Sequence, residues 1–397
     1  MMTSTVFVIV GGGLAAAKAV QALRDSEFDG QIVLFADEEY LPYERPPLSK
    51  GFLAGDKSLA DFTVQNSDWY RDRRVDLRLN TRVDALDAAA HTVAFDDGVT
   101  LRYEKLLLAT GSAPRRPPIP GHDADGVHYL RNYPDAVSLN SVLVEGSALA
   151  VLGAGWIGLE VAAAARRRGV DVTVVESAEQ PLLTALGAEV GAVFADLHRD
   201  HGVLLRLKAR ADRITVRDGK ATGLALSDGS TVAADAVLVA VGAEPNVELA
   251  EQAGLAMADG GVRVDASLRT SDADIFAVGD IAAAEHPFYG VRIRTEHWAN
   301  ALKQPAVAVA GMLGSPSEYD ELPYFFTDQY DLGMEYAGYA SGSEKVVLRG
   351  DVAGREFVAY WLDDEDRVLA GMTVNIWDVL DDIKEQIRSR TPLDPGR

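Results

Sequence analysis

A β-branched strand that runs into glycines and straight on into an alanine-rich helix occurs twice in this chain, and that repeat narrows the fold more than any other feature. In the first copy TVFVIV (Thr5–Val10) leads into Gly11-Gly12-Gly13-Leu14-Ala15-Ala16, a helix follows, and QIVLFAD (Gln31–Asp37) reads as the next strand. In the second, ALAVLG (Ala148–Gly153) leads into Gly153-Ala154-Gly155-Trp156-Ile157-Gly158, then IGLEVAAAARRRG, then VDVTVVE (Val170–Glu176). Each copy reads as a βαβ unit opening a parallel sheet. Each also reaches a third apolar strand ending on glycine, KLLLATG (Lys105–Gly111) and AVLVAVG (Ala236–Gly242). The chain therefore carries a duplicated module.

The spacing of the glycines has a chemical reason. Gly11 and Gly153 permit the tight turn, Gly13 and Gly155 let a pyrophosphate approach the backbone, and Ala16 and Gly158 keep helix and strand close. Free N–H groups and the helix dipole favour an anion at that end. An acid closes the second strand of each module, Asp37 and Glu176, where it is suited to the hydroxyls of an adenosine ribose. Glu176 repels a 2′-phosphate, so the second site favours NADH over NADPH. Arg166, Arg167 and Arg168 read as a solvated helix end, where cations suit the dipole.

The predicted class is α/β, with two Rossmann-type dinucleotide-binding domains and a small C-terminal α+β domain. The second module is inserted in the first, because RTSDADIFAVGD (Arg269–Asp280) reads as a strand returning to the first sheet. The crossings fall at Pro114–Pro120 and Ala243–Asn246, which gives domains 1–113 with 243–322, 114–242 and 323–397. Beyond Pro323, KVVLRG, EFVAYWL and RVLAGMTVN predict an antiparallel sheet, and WDVLDDIKEQIRSR an amphipathic helix with Trp377 in core packing.

Composition excludes several classes. The 397 residues include 60 acidic and 38 basic ones, a formal net charge of −22, which argues against a nucleic-acid partner. No run approaches the ~20 apolar residues of a membrane span, and the first residues lack the basic region of a secretory signal, so a cytoplasmic protein is expected. There is no cysteine, hence no disulfide, no cysteine-ligated metal and no thiol redox centre. His198 and His201 form an HxxH pair without an evident third ligand; a solvated helix end is expected there, and no metal. Redox chemistry must then belong to bound cofactors. Two fingerprints imply two dinucleotides; FAD suits the acceptor, since it takes a hydride and releases single electrons.

The run Tyr43-Glu44-Arg45-Pro46-Pro47-Leu48-Ser49-Lys50 is the most specific feature. Together with Ala109-Thr110-Gly111, Glu160, Ala277-Val278-Gly279-Asp280 and Glu296-His297-Trp298, it closely resembles the FAD-dependent NADH:ferredoxin reductases that serve cytochromes P450 and aromatic-ring dioxygenases. The resemblance covers nearly the whole chain and implies a glutathione-reductase-like fold. It implies FAD on Gly11, Gly13, Leu14, Ala15 and Ala16, with Asp37 on the adenosine ribose. Arg45 and Arg131 are implied at the phosphates or adenosine half, and the Val83 backbone at adenine. It implies Asp280 on the ribityl chain, Trp298 and its neighbour His297 by the flavin pyrimidine, and Glu296 near the nicotinamide. NADH is implied on Gly153, Gly155, Ile157, Gly158, Glu176 and Gly242. Lys50 is implied beside the flavin ring with Glu160 as its charge partner, and a helix is expected to begin near Trp298 and to kink at Pro305.

The implied partner is a small iron–sulfur ferredoxin, held transiently. Ferredoxins are usually acidic, so docking on this acidic chain needs a local basic patch. Arg292 and Arg294 are the first candidates, and Arg71, Arg73 and Arg74 the second. Glu296 also reads as a solvated acid, and Asp280 as the cap of a helix IAAAEH. A monomer or weak dimer is expected. Other readings remain open: an NADH oxidase, or an NADH sensor resembling apoptosis-inducing factor, although the insertion and basic surfaces of that relative are not seen here.

Overall fold

The computed structural model describes residues 5–340 and 344–394. They fall into two compact units. The first comprises the chain up to Arg45, Leu59–Ala113 and Glu244–Pro323; the second comprises Pro46–Ser58, Pro114–Ala243 and the chain from Tyr324 on.

The first unit is built on a five-stranded parallel sheet in the order Ile275–Ala277, Lys105–Leu108, Val6–Val10, Gln31–Phe35, Val75–Arg78. Parallel sheets are covered on both faces, so their strands read as unbroken apolar runs rather than alternations. Val8, Ile9, Ile32, Val33, Leu34, Leu106 and Leu107 are accordingly all fully buried. The helices Leu14–Asp25 and Trp298–Met312 pack against each other over this core. The second helix runs on through Pro305. Two smaller sheets complete the unit, a meander Val83–Asp87, Thr92–Phe95, Val99–Arg102 and a four-stranded sheet that includes Ala282–His286. That last segment is a strand and not a helix: Ala282–Ala284 pair with Val262–Val264, so Asp280 caps no helix there.

The second unit repeats the plan. Its parallel sheet runs Val127–His128, Ala236–Val239, Ala148–Leu152, Asp171–Val175, Leu204–Arg206. Four strands follow the first sheet's order, while the edge strand Val127–His128 precedes them in the chain where Ile275–Ala277 follows its own; an antiparallel meander (Ala211–Arg217, Lys220–Leu226, Thr231–Ala233) again precedes the strand beside that edge, Ala236–Val239. The C-terminal segment forms a five-stranded antiparallel sheet, Tyr324–Gln329, Leu332–Gly338, Val368–Val374, Glu356–Leu362, Lys345–Asp351, with the helix Leu380–Ser389 on it. Met334, Phe357, Trp361 and Met372 of this sheet join Val190, Phe194 and Leu197 in one continuous core. The short helix Gly51–Ala54 belongs to this core too, through the fully buried Leu53.

Three sequence expectations are corrected here. Trp377 is 55% exposed, with its ring edge on Gly333. It precedes the terminal helix because Asp378 sits at φ +65°, a left-handed conformation that stops the helix from starting earlier. His198 is fully buried rather than at a solvated end. Of the three arginines at the end of the alanine helix, Arg167 is exposed as expected and pairs with Asp56, but Arg166 and Arg168 are half-buried, Arg166 donating to the carbonyls of His201 and Val170 and Arg168 to that of Leu53.

Phe357→Ala should lower the unfolding free energy of the second unit by about 3–5 kcal/mol. Urea unfolding followed by circular dichroism checks it, and a loss below about 1 kcal/mol would remove Phe357 from the core.

Candidate functional site

Each parallel sheet ends in a loop whose geometry only glycine permits. Gly11 adopts φ +131°, and a Cβ there would lie 2.1 Å from the carbonyl oxygen of Ala109. Gly153 adopts φ +103°, and a Cβ would lie 2.4 Å from the carbonyl oxygen of Ala240. The backbone bonds also correspond: Gly11 N–H donates to Phe35 and Gly153 N–H to Val175, both at 2.9 Å. Gly158 then presses on the loop, where a Cβ would meet the Gly153 carbonyl oxygen at 2.2 Å. Ala16 fills the corresponding place in the first unit and is fully buried.

The middle glycines are different. Gly13 and Gly155 are the N-caps of the helices Leu14–Asp25 and Trp156–Arg167, and a Cβ on either would meet nothing within 4 Å. Neither helix has a side-chain cap or an acid in its first turn. Unspent amide donors and the dipole's positive end therefore face open space twice. That is the steric and electrostatic form a pyrophosphate requires, and the residues present fit two dinucleotides.

In the first unit further groups gather at this loop. Gly279, at φ +75°, would bring a Cβ within 3.9 Å of the Ala15 methyl, which sets the turn Gly279–Ile281 against the helix start. Its N–H donates to Gln304 Oε1 at 2.7 Å, and Ser112 Oγ donates to the buried Asp280 at 2.5 Å. The helix Trp298–Met312 begins after His297 without a side-chain cap or a first-turn acid. Burial pushes the His297 imidazole down to about 4, against an opposing pull from Asp280, so it is neutral at physiological pH. The Ala109-Thr110-Gly111 turn is pinned by Asn246, which accepts from Thr110 Oγ1 at 2.7 Å and donates to Thr110 O at 2.8 Å. Arg45 pairs with Glu38 at 3.1 Å, and Tyr43 donates to the same carboxylate at 2.6 Å. Asp37 is exposed just past its strand, while Val83 is buried in the meander.

In the second unit Glu176 follows the strand Asp171–Val175 and accepts from the N–H groups of Ala154 and Ala178, each at 2.8 Å. The corresponding residue of the first unit is Ala36, whose methyl faces Gly12, so there the acid is the next residue, Asp37. Ile157 is exposed beside the loop, and Gly242 sits at φ +107°. Arg131 stands on the turn before the helix Tyr133–Val142, its N–H donating to Asp135 at 2.9 Å.

Lys50 and Glu160 do come together. Lys50 begins the helix Gly51–Ala54, which packs on Trp156–Arg167, and its Nζ lies 2.8 Å from Glu160 Oε1. Glu160 is 4% exposed and lies in the second turn of its helix, not the first. Ser49 Oγ donates to Oε2 at 2.5 Å and Thr327 Oγ1 to Oε1 at 2.6 Å. Burial of a lone carboxylate costs several kcal/mol, and three donors offset it here.

The arginines singled out for docking are largely committed elsewhere. Arg294 (19% exposed) pairs with Glu296 at 2.6 Å and donates to the carbonyls of Asp259 and Asp280. Arg292 (20% exposed) pairs with Glu285 and donates to Val264 and Ala283. Glu296 is exposed, as a solvated acid would be, and is also the ion-pair partner of Arg294. Arg71 is exposed but bridged to Asp68 and Asp72. Among the described residues no cluster of His, Asp and Glu is arranged to hold a metal, and no helix is long and apolar enough to cross a membrane. Sequence reasoning missed Glu38, Ser49, Ser112, Asn246, Gln304 and Thr327. Glu38 is a second acid in a run and meets Tyr43 and Arg45 nearby in the chain; the others are hydroxyl or amide residues whose role exists only once distant segments meet.

A family model for the pyridine nucleotide-disulphide oxidoreductases matches residues 5–305, and one for the reductase C-terminal domain matches 324–397. The chain belongs to the pyridine nucleotide-disulphide oxidoreductase family, within its branch of ferredoxin–NAD reductases that carry this C-terminal domain. It is 43% identical to the ferredoxin–NAD(+) reductase component of the anthranilate 1,2-dioxygenase system of Burkholderia cepacia, over 94% of this chain and 92% of that one. It is 40% identical to rhodocoxin reductase of Rhodococcus erythropolis, over 87% and 81% respectively. Putidaredoxin reductase, solved as a covalent complex with putidaredoxin, superposes with a TM-score of 0.94 at 34% identity, covering 99% of this chain and 95% of that one.

Two glycines separate geometry from ligand space. Gly153→Ala should lower the melting temperature of the second unit, because the backbone must shift. Gly155→Ala should leave the melting temperature within about 2 °C but weaken NAD+ at least tenfold, about 1.4 kcal/mol. Calorimetry and NAD+ titration check this; unchanged NAD+ affinity in Gly155→Ala would contradict the phosphate space.

Proposed function

We propose that this chain is an FAD-dependent reductase that draws electrons from NADH and passes them singly to a small iron–sulfur ferredoxin, the carrier that feeds a cytochrome P450 or a dioxygenase. The observation that carries this is the pair of glycine-loop helix starts, free of capping side chains, on two sheets of one construction, in a chain with no cysteine. A family named for disulphides is represented here by a member that has none, so the electrons leave for an external acceptor. The relatives named for dioxygenase and rhodocoxin systems support that direction.

FAD belongs to the first unit and NADH to the second. The N-terminus of Leu14–Asp25 receives the FAD pyrophosphate, Asp37 the adenosine ribose, and the Val83 backbone the adenine. Arg45, held by Glu38 and Tyr43, serves the phosphates or adenosine half, as does Arg131. Asp280, aimed by Ser112, serves the ribityl chain. FAD held there would supply the chemistry of taking a hydride from NADH and giving up single electrons, as a one-electron acceptor requires. The start of the helix Trp298–Met312 offers its positive end to negative charge on the flavin pyrimidine, and a neutral His297 adds none of its own. Lys50, kept charged by Glu160, supplies a fixed ammonium beside the flavin ring. The NADH pyrophosphate takes the N-terminus of Trp156–Arg167, and Glu176 the ribose hydroxyls. Cytoplasmic placement follows from NADH as the donor. The division into domains 1–113 with 243–322, 114–242 and 323–397 suits these roles, with Pro46–Ser58 serving the second unit.

NADH-dependent reduction of cytochrome c should require an added ferredoxin; equal rates without it would favour an oxidase instead. Glu176→Arg should move the NADPH/NADH ratio of kcat/KM at least tenfold toward NADPH, and an unmoved ratio would end the ribose assignment. Lys50→Gln, which keeps a donor but removes the charge, should slow flavin reduction by NADH about tenfold or more with FAD retained; a wild-type rate would end that role.

A further inference from the structure

A single hydrogen-bonded chain runs through the second unit to the Glu160 carboxylate. Tyr330 Oη lies 3.3 Å from His198 Nδ1, and His198 Nε2 lies 2.8 Å from Gln329 Oε1. Gln329 Nε2 lies 3.3 Å from Thr327 Oγ1, which lies 2.6 Å from Glu160 Oε1. His198, Gln329 and Thr327 are all buried.

The direction of every bond follows from its last member. Glu160 is paired with the Lys50 ammonium at 2.8 Å, so it is an ionised acceptor without a proton. Thr327 has one hydroxyl proton and must give it to Glu160. Its oxygen can then only accept from Gln329, so the amide turns its NH2 to Thr327 and its carbonyl to His198. That carbonyl needs a donor, which places the His198 proton on Nε2 and leaves Nδ1 bare to accept from Tyr330. Aligned donors polarise one another, each strengthening the next.

We propose that Tyr330, His198, Gln329 and Thr327 are positioning residues, a one-way chain of donors that holds Glu160 ionised and thereby keeps Lys50 charged and in place. This rests on the reading of Lys50 as the lysine beside the flavin. Ser49 completes the carboxylate from its other oxygen. The charged groups that face the pair are Asp328, with Glu335 beyond it, both on the C-terminal sheet; burial first, then Glu160 and Glu335, raise the Asp328 carboxyl, while Lys50 opposes. Burial also pushes His198 down to about 4, with Gln329 opposing, which agrees with a neutral ring. The chain brings the C-terminal sheet into the electrostatics of the Lys50–Glu160 pair, since Thr327, Gln329 and Tyr330 all sit at or next to its first strand.

Two measurements on the FAD-loaded protein test this. In histidine-labelled protein, 15N NMR, assigned by the signal missing in His198→Gln, should show His198 neutral from pH 5 to 8 with its proton on Nε2. A proton on Nδ1, or titration in that range, overturns the chain. In stopped-flow reduction by NADH, Thr327→Val removes one donor to the carboxylate, so the acid limb of the rate should move up by about one pH unit. Thr327→Ser should restore it. If Lys50→Gln slows reduction while Thr327→Val leaves the limb in place, the chain is overturned and the Lys50 reading stands. If Lys50→Gln reduces at the wild-type rate, the Lys50 reading and the positioning role both fall, and only the His198 proton assignment stands or falls with the NMR.

Discussion

Both halves of the molecule depend on the approach of a strand-end carbonyl to the first glycine of a loop, Ala109 to Gly11 and Ala240 to Gly153. At 2.1 and 2.4 Å from an imagined Cβ, no other residue can stand there without moving the sheet. The contact lets the chain turn at once from strand to helix, so that the helix start sits at the sheet's carboxyl edge with its amides unspent. Everything chemical follows from that edge. The acids past the second strands, the turn at Asp280 and the start at Trp298 are useful because each unit presents an anion-binding helix end among them or beside them.

Glu160 is the second point on which the structure turns. It is buried, and a buried charge must be paired and hydrogen-bonded. Its partners come to the second glycine helix from two distant stretches, Ser49 with Lys50, and Thr327. The C-terminal sheet is therefore more than a packing domain. Its core is shared with the helix Ala188–Asp200, and its first strand supplies a hydroxyl to the carboxylate that pairs with Lys50.

The parallel sheets were legible in the sequence because buried parallel strands leave unbroken apolar runs, and the glycine spacing is itself the geometry of the turn. The returning strand at Ile275–Ala277 was legible for the same reason. Sidedness on polar residues was not. Arg292 and Arg294 look like a surface patch in one dimension, yet the guanidinium of Arg292 closes onto carbonyls of neighbouring strands and that of Arg294 onto carbonyls of two turns. His198 looked solvated at a helix end, but the strand Tyr324–Gln329 brings Gln329 to it. Trp377 looked like the first core residue of a helix that starts three positions later. Ser112 and Asn246 carry no motif, and Ser49 lies in one without an evident role, because a hydroxyl or amide becomes specific only through the partner the fold brings.

The stoichiometry of electron delivery tests the central claim most directly. FAD-loaded protein is reduced with one equivalent of NADH without oxygen, then mixed in a stopped-flow instrument with excess oxidised ferredoxin. Two ferredoxins reduced per NADH consumed, in two single-electron phases of flavin reoxidation, is the predicted result. Failure of NADH to reduce the flavin, or reduced flavin that persists beside cognate ferredoxin and is discharged only when oxygen is admitted, would contradict it.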